Sequence, residues 1–127
     1  MRSAAWILRG CVAVFAALGL AFLVAPVDIL AHIDVRAGSP SAVADLRAVY
    51  GGLELGVAAT LALCGRASVR LGLSAALAIF LAMALARLVG FAVDGPQTWL
   101  SIALLAAEAS GVAVAAVALR ASDRDVA

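Results

Sequence analysis

The stretch WLSIALLAAEASGVAVAAVAL, Trp99 to Leu119, decides the fold. It is long enough for an α-helix to cross about 30 Å of hydrocarbon, which takes about 20 apolar residues, yet its centre carries an acid, Glu108. Two further stretches repeat the pattern: Ala48 to Cys64 holds Glu54, and Leu71 to Val93 holds Arg87. An ionised side chain near the bilayer midplane costs roughly 2.5–3.5 kcal/mol on insertion scales, against a gain of about 0.3–0.6 kcal/mol for each Leu, Ile, Val or Phe. Such groups need partners, and this chain offers opposite charges for them.

Of the 127 residues, 66% are hydrophobic and the mean hydropathy is +1.15, where soluble domains use about 45–50% apolar residues. Four stretches reach membrane length: Ala4 to Ala25, Ala42 to Cys64, Leu71 to Val93 and Trp99 to Leu119, the last extending back to Gln97 if the turn at Pro96 leads straight into it. In lipid every backbone group must bond internally, and no alternating strand pattern is present. The expected fold is therefore all-α, a single-domain transmembrane four-helix bundle running up-down-up-down, with spans near 4–25, 42–64, 71–93 and 97–119.

All nine basic residues are arginines. Arg2, Arg9, Arg66, Arg70, Arg120 and Arg124 fall at the N-terminus, the second loop and the C-terminus, whereas the first and third loops carry Asp28, Asp34 and Asp94 with Arg36. The positive-inside rule then puts both termini in the cytoplasm and the chain in the cytoplasmic membrane. Arg2 and Arg9 ahead of an apolar run also resemble the start of a signal peptide. However, Gly10 to Ala25, extended by Trp6, Ile7 and Leu8, can cross a bilayer once Arg9 snorkels to the headgroups, so a retained first span is expected. Trp6 and Trp99 mark opposite interfaces.

A net charge of +1 gives no reason to expect a nucleic-acid partner. Cys11 and Cys64 each lie two residues inside an arginine, on the side expected to be reducing. Without a C-x-x-C pair or histidines at ligand spacing they read as buried free thiols, and neither a metal nor a cofactor is expected. Pro26 is expected to end the first helix and Val27 to Val35 to form a short helix on the outer surface. His32 within it reads as a solvated residue before it reads as a pH sensor. Ser39 before Pro40 has the pattern of an N-cap with proline in the first helical position. Gly65 to Arg70 is short, making helices two and three antiparallel neighbours. Asp94-Gly95-Pro96 reads as the outer turn into helix four, and Ser122 to Ala127 as a frayed end.

Residues three, four and seven apart share a helix face. This spacing places Arg47, Tyr50, Gly51 and Glu54 on one stripe of helix two, Phe80, Met83, Arg87 and Asp94 on one of helix three, and Gln97, Ser101, Leu104 and Glu108 on one of helix four. At the helical rise, Glu54 and Glu108 each lie about 18 Å from Arg66 and Arg120, and Arg87 about 10 Å from Asp94. Further along, the stripes turn apolar at Ala58, Leu61, Ala76, Phe80, Val112 and Ala115, which argues against a continuous pore. The expected arrangement is an outward polar cleft lined by Arg47, Tyr50, Arg87, Gln97 and Ser101 with Glu54 and Glu108 at its floor, at least one glutamate being salt-bridged to Arg87. Gly52 and Gly56 form a G-x-x-x-G spacing that fits either packing against helix one or a homodimer.

The segment Leu46-Arg47-Ala48-Val49-Tyr50-Gly51-Gly52-Leu53-Glu54, followed by Ala86-Arg87-Leu88, Asp94-Gly95-Pro96 and Glu108, resembles a bacterial family of small four-helix membrane proteins, Domain of Unknown Function 4345. The likeness spans nearly the whole chain. It implies four spans and brings no activity, cofactor or site residue. Three readings of function stand beside it. The first is binding of a small or amphiphilic ligand, or protons, in the outward cleft. The second is a structural subunit or scaffold of a membrane complex whose ion pairs serve assembly. The third, an enzyme using one glutamate as acid and the other as base, lacks any G-x-S-x-G, H-E-x-x-H, P-loop or dinucleotide motif, so the chain is read as not an enzyme.

Overall fold

The computed structural model describes residues 2–95 and 97–124, and among these it is helical with no strand. Four helices have the length and hydropathy to cross a membrane: Ser3–Val24, Pro40–Ala67, Val69–Val93 and Trp99–Ser122. Their surfaces agree with their composition. Leu53, Leu63 and Val89 are each more than 60% exposed, which suits acyl chains and would be anomalous in such numbers on a soluble domain. Among the described residues, six of the eleven buried hydrophobic residues are alanines; where lipid is as apolar as leucine, small side chains that let backbones approach closely supply the packing. Ala58, Leu61, Ala76 and Ala115, predicted as apolar interior, are among the eleven.

The chain divides into two compact units, Gly10–Thr60 and Met1–Arg9 with Leu61–Ala127. In the first unit, α1 (Arg2–Val24) is broken at Ala25, whose backbone leaves the helical region (φ −133°, ψ 56°). Pro26, with no N–H to continue the ladder, opens α2 (Pro26–Ala31), a short helix that begins one residue before the expected Val27 and stops four residues short of Val35. His32 closes α2, its exposed ring Nδ1 donating to the Asp28 carbonyl at 2.9 Å. Ser39 caps α3 (Pro40–Leu46) as predicted: its backbone is extended and its hydroxyl accepts from the Ala42 N–H at 3.2 Å.

The second span does not continue as plain α-helix. Arg47–Gly52 is a π-helix, in which the N–H of Leu53 reaches back five residues to the Ala48 carbonyl, and only then does α4 (Leu53–Ala67) begin. This span runs antiparallel to α1, since Gly19 meets Leu55 while Leu23 meets Gly51. The approach is at backbone distance: a Cβ on Gly19 would lie 2.9 Å from the Gly51 oxygen and from the Leu55 nitrogen. The expectation that α1 packs on the Gly52–Gly56 face is thereby corrected. Gly56 has no described neighbour within 4 Å of a Cβ, and Gly52 meets only its own helix, at the Arg47 oxygen.

In the second unit the break between α4 and α5 (Val69–Val93) is the single extended residue Ser68. So short a connection presses the helices together: a Cβ on Gly72 would lie 3.1 Å from the Gly65 Cα, and Leu8 folds its side chain over both glycines. Helix α6 (Trp99–Arg124) is antiparallel to α5, as Phe80 against Gly111 and Arg87 against Glu108 require. It begins two residues after the expected Gln97. Thr98 supplies the cap, its hydroxyl accepting from the Ser101 N–H at 3.3 Å, while Gln97 turns back to donate to the Gly95 carbonyl at 2.8 Å. Gly95 sits at φ +86°, which glycine alone adopts without strain. Pro96 lies outside the described residues. At the other end α6 runs on to Arg124, past the expected fraying point at Ser122, whose hydroxyl donates to the Ala118 carbonyl at 2.9 Å; residues 125–127 are outside the description.

Gly111 lets α5 and α6 approach closely, with three ring atoms of Phe80 within 2.8 Å of the position a Cβ would take. Gly111→Ala is therefore expected to destabilise by about 1–3 kcal/mol through overpacking. Adding Phe80→Leu to the same chain should return part of that loss. Thermal unfolding in detergent reads both effects, and an unchanged midpoint in Gly111→Ala would remove the contact from consideration.

Candidate functional site: two membrane acids in different states

Antiparallel packing of α5 and α6 sets Arg87 opposite Glu108. The guanidinium grips the carboxylate with two nitrogens: Nη2 lies 2.6 Å from Oε1, and Nε lies 3.1 Å from Oε1 and 3.0 Å from Oε2. Both carboxylate oxygens are thus engaged in charge-assisted hydrogen bonds, which are roughly twice as strong as neutral ones. Glu108 is 4% exposed, whereas the Arg87 side chain keeps 27% of its surface. The pairing expected of Arg87 with a glutamate is present, and Glu108 provides it.

Glu54 is in a different condition. It stands at the start of α4, directly after the π-helix, and is half-buried. Its Oε2 is buried and has no hydrogen-bond partner among the described residues. A buried oxygen left this way costs about 1–3 kcal/mol, more when charged. The π-helix explains which neighbours Glu54 lacks. Wider turns rotate the chain less per residue, so the face carrying Arg47 is not carried on to Glu54 as plain α spacing predicts. Arg47 and Tyr50 instead face α1. Arg47 Nε donates to the Leu23 carbonyl at 2.9 Å, satisfying one of the last carbonyls of that helix with a cation where its dipole favours one. The Tyr50 ring lies 5.4 Å from that of Phe22. Leu55, beside Glu54, takes the position against Gly19.

The remaining predicted site residues, Gln97 and Ser101, gather with Thr98 at the start of α6, where the Thr98 and Ser101 hydroxyls are 3.1 Å apart. Arg47, Tyr50 and Glu54 belong to the unit Gly10–Thr60; Arg87, Gln97, Ser101 and Glu108 belong to the other. Three contributors escaped the reading by spacing. The carbonyl of Leu23 carries no side-chain signal, Phe22 has the sequence surroundings of any lipid-facing aromatic, and Thr98 is legible only as a cap residue ahead of an apolar run. Among the described residues no three His, Cys, Asp or Glu side chains come together in a way that could hold a metal. Cys11 and Cys64 are free thiols, each half-buried.

The sequence model of a family described as Domain of unknown function (DUF4345) matches residues 3–119. The chain belongs to this family. No curated protein and no solved structure matches it. The DUF4345 match takes in Glu54, the π-helix and the Arg87–Glu108 pair. It makes the protein a small membrane protein of a family without an assigned role, and the chemistry of its site has to be argued from the two acids themselves.

Proposed function

We propose that this DUF4345 protein binds, at Glu54, a small amphiphile with a hydrogen-bond-donating headgroup, or a proton, from the side of the cytoplasmic membrane opposite its two termini. One observation carries the reading: of the two acids near the middle of membrane spans, Glu108 has both oxygens on Arg87, while Glu54 has a buried oxygen with no donor among the described residues. Ionisable residues inside spans mark ligand and proton sites by default, and π-helical turns recur beside functional sites. An ionised carboxylate only accepts hydrogen bonds, so the matching headgroup is an amine or a hydroxyl and not another acid. The proposal is of binding, without a chemical step.

The test uses purified protein in phosphatidylcholine nanodiscs titrated with a long-chain alkylamine, the corresponding alcohol and the corresponding fatty acid. Amine and alcohol are expected to raise the unfolding midpoint, with a stabilisation of about 2.7 kcal/mol at a hundredfold excess over Kd, and the fatty acid to leave it unchanged. Glu54→Gln should abolish the amine response in a protein that still folds. Failure of the parent to respond to either donor-bearing amphiphile would contradict amphiphile binding at Glu54 and leave the proton as its only ligand. The alternative, a structural subunit of a membrane complex, draws on the closed Arg87–Glu108 pair. It requires that Glu54→Gln alter no ligand response.

A further inference from the structure

We propose that the arginine-rich end of the unit Met1–Arg9 with Leu61–Ala127 binds the phosphate group of an anionic phospholipid. Glycines create the site. Because Gly65 and Gly72 have no side chains, Leu8 lies over both, within 2.6 Å of where their Cβ atoms would be, and the end of α4 meets the start of α5 backbone to backbone. That junction brings Arg9, next to Leu8, and Arg66, next to Gly65, to one end of the unit. Arg70 is two residues from Gly72 at the same junction. The antiparallel register of α5 and α6, set by Phe80 against Gly111 and Arg87 against Glu108, places Arg120 at this end as well.

Arg9, Arg66, Arg70 and Arg120 are all exposed. Four exposed guanidinium groups gathered in this way attract anions. The surroundings favour a lipid over a free ion. The Arg9 guanidinium stands 4.9 Å from the centre of the Trp6 ring, which is itself 67% exposed, an arrangement suited to the headgroup level, where tryptophan collects. Exposed Leu63, three residues before Arg66, and exposed Leu71, next to Arg70, offer acyl chains a surface beside the phosphate. Basic clusters at the cytoplasmic ends of transmembrane helices recognise anionic headgroups on this principle.

The experiment uses the full chain with Trp99→Phe, which leaves Trp6 as its one tryptophan, in nanodiscs. Trp6 fluorescence is quenched by phosphatidylglycerol brominated near the headgroup end of its chains and, separately, by phosphatidylcholine brominated alike. Phosphatidylglycerol is expected to associate more strongly by about fivefold for each arginine engaged. The preference should fall by about fivefold for each of the two arginines removed in the Arg9→Gln/Arg66→Gln variant and persist unchanged in Arg36→Gln, a change in the loop between α2 and α3. Equal quenching by the two lipids in the parent would overturn the proposal, as would a preference that the double substitution leaves unchanged. Loss of the preference in inorganic phosphate but not in sodium chloride of the same ionic strength would show a free-phosphate site and overturn it too.

Discussion

Replacing Arg87 with methionine is expected to lower the unfolding free energy by about 3 kcal/mol, because it strands a buried carboxylate. Glu108 is 4% exposed and has no donor besides Arg87 among the described residues. Breaking one partner of a buried pair typically costs about 3–5 kcal/mol; the 27% exposure of the Arg87 side chain sets the expectation at the low end. Glu108→Leu should destabilise in turn by leaving the guanidinium unpaired. The combined Arg87→Met/Glu108→Leu chain should regain most of the loss, since apolar replacement of a whole buried pair is often neutral or stabilising. Equilibrium unfolding of the four proteins in mixed micelles gives the double-mutant cycle. Additive losses would show that the two side chains do not act on each other, whatever their separation.

The second large effect concerns the contact of α1 with the second span, and it is a difference in sign. Gly19→Ala and Gly51→Ala are expected to destabilise by about 1–3 kcal/mol each. A methyl at Gly19 meets backbone atoms of Gly51 and Leu55 at 2.9 Å, and one at Gly51 meets the Leu23 nitrogen at 3.1 Å besides its side chain. Backbone cannot swing aside as a side-chain tip can. Gly52→Ala, where a methyl makes only an ordinary contact with the Arg47 oxygen at 4.0 Å, and Gly56→Ala, where it meets open space, should be neutral or stabilising by up to about 1 kcal/mol from the helical preference of alanine. Unfolding midpoints of the four variants decide the matter. If Gly56→Ala proved the damaging one, the helix face assigned to α1 would be wrong.

Much of the helical framework was legible because its signals are local. Runs of apolar residues of bilayer length, Ser39 ahead of Pro40, and Pro26 as a breaker each depend on a few adjacent residues, and each predicted element is present. The Arg87–Glu108 pair was legible for an energetic reason, since an arginine in a span has few affordable neighbours. What escaped depended on rotation. Counting by threes and fours assumes α-helix throughout, and the π-helix at Arg47–Gly52 breaks that count inside the most informative stretch of the chain. As a result Arg47 and Tyr50 turn to Leu23 and Phe22, and the glycine in contact with α1 is Gly51, one residue before the G-x-x-x-G pair. No residue type announces a π-turn, although adjacent glycines at Gly51 and Gly52 permit one.

The difference between the two acids can be read directly with a membrane-soluble carbodiimide, which reaches carboxyl groups within the lipid and attaches to those not already held by a cation. In intact protein in nanodiscs, followed by peptide mass spectrometry, Glu54 is expected to take the label and Glu108 to remain unmodified until Arg87 is replaced by methionine. Label on Glu108 in the parent protein, with Glu54 untouched, would reverse the assignment of open and closed acid and remove the basis for a binding site at Glu54.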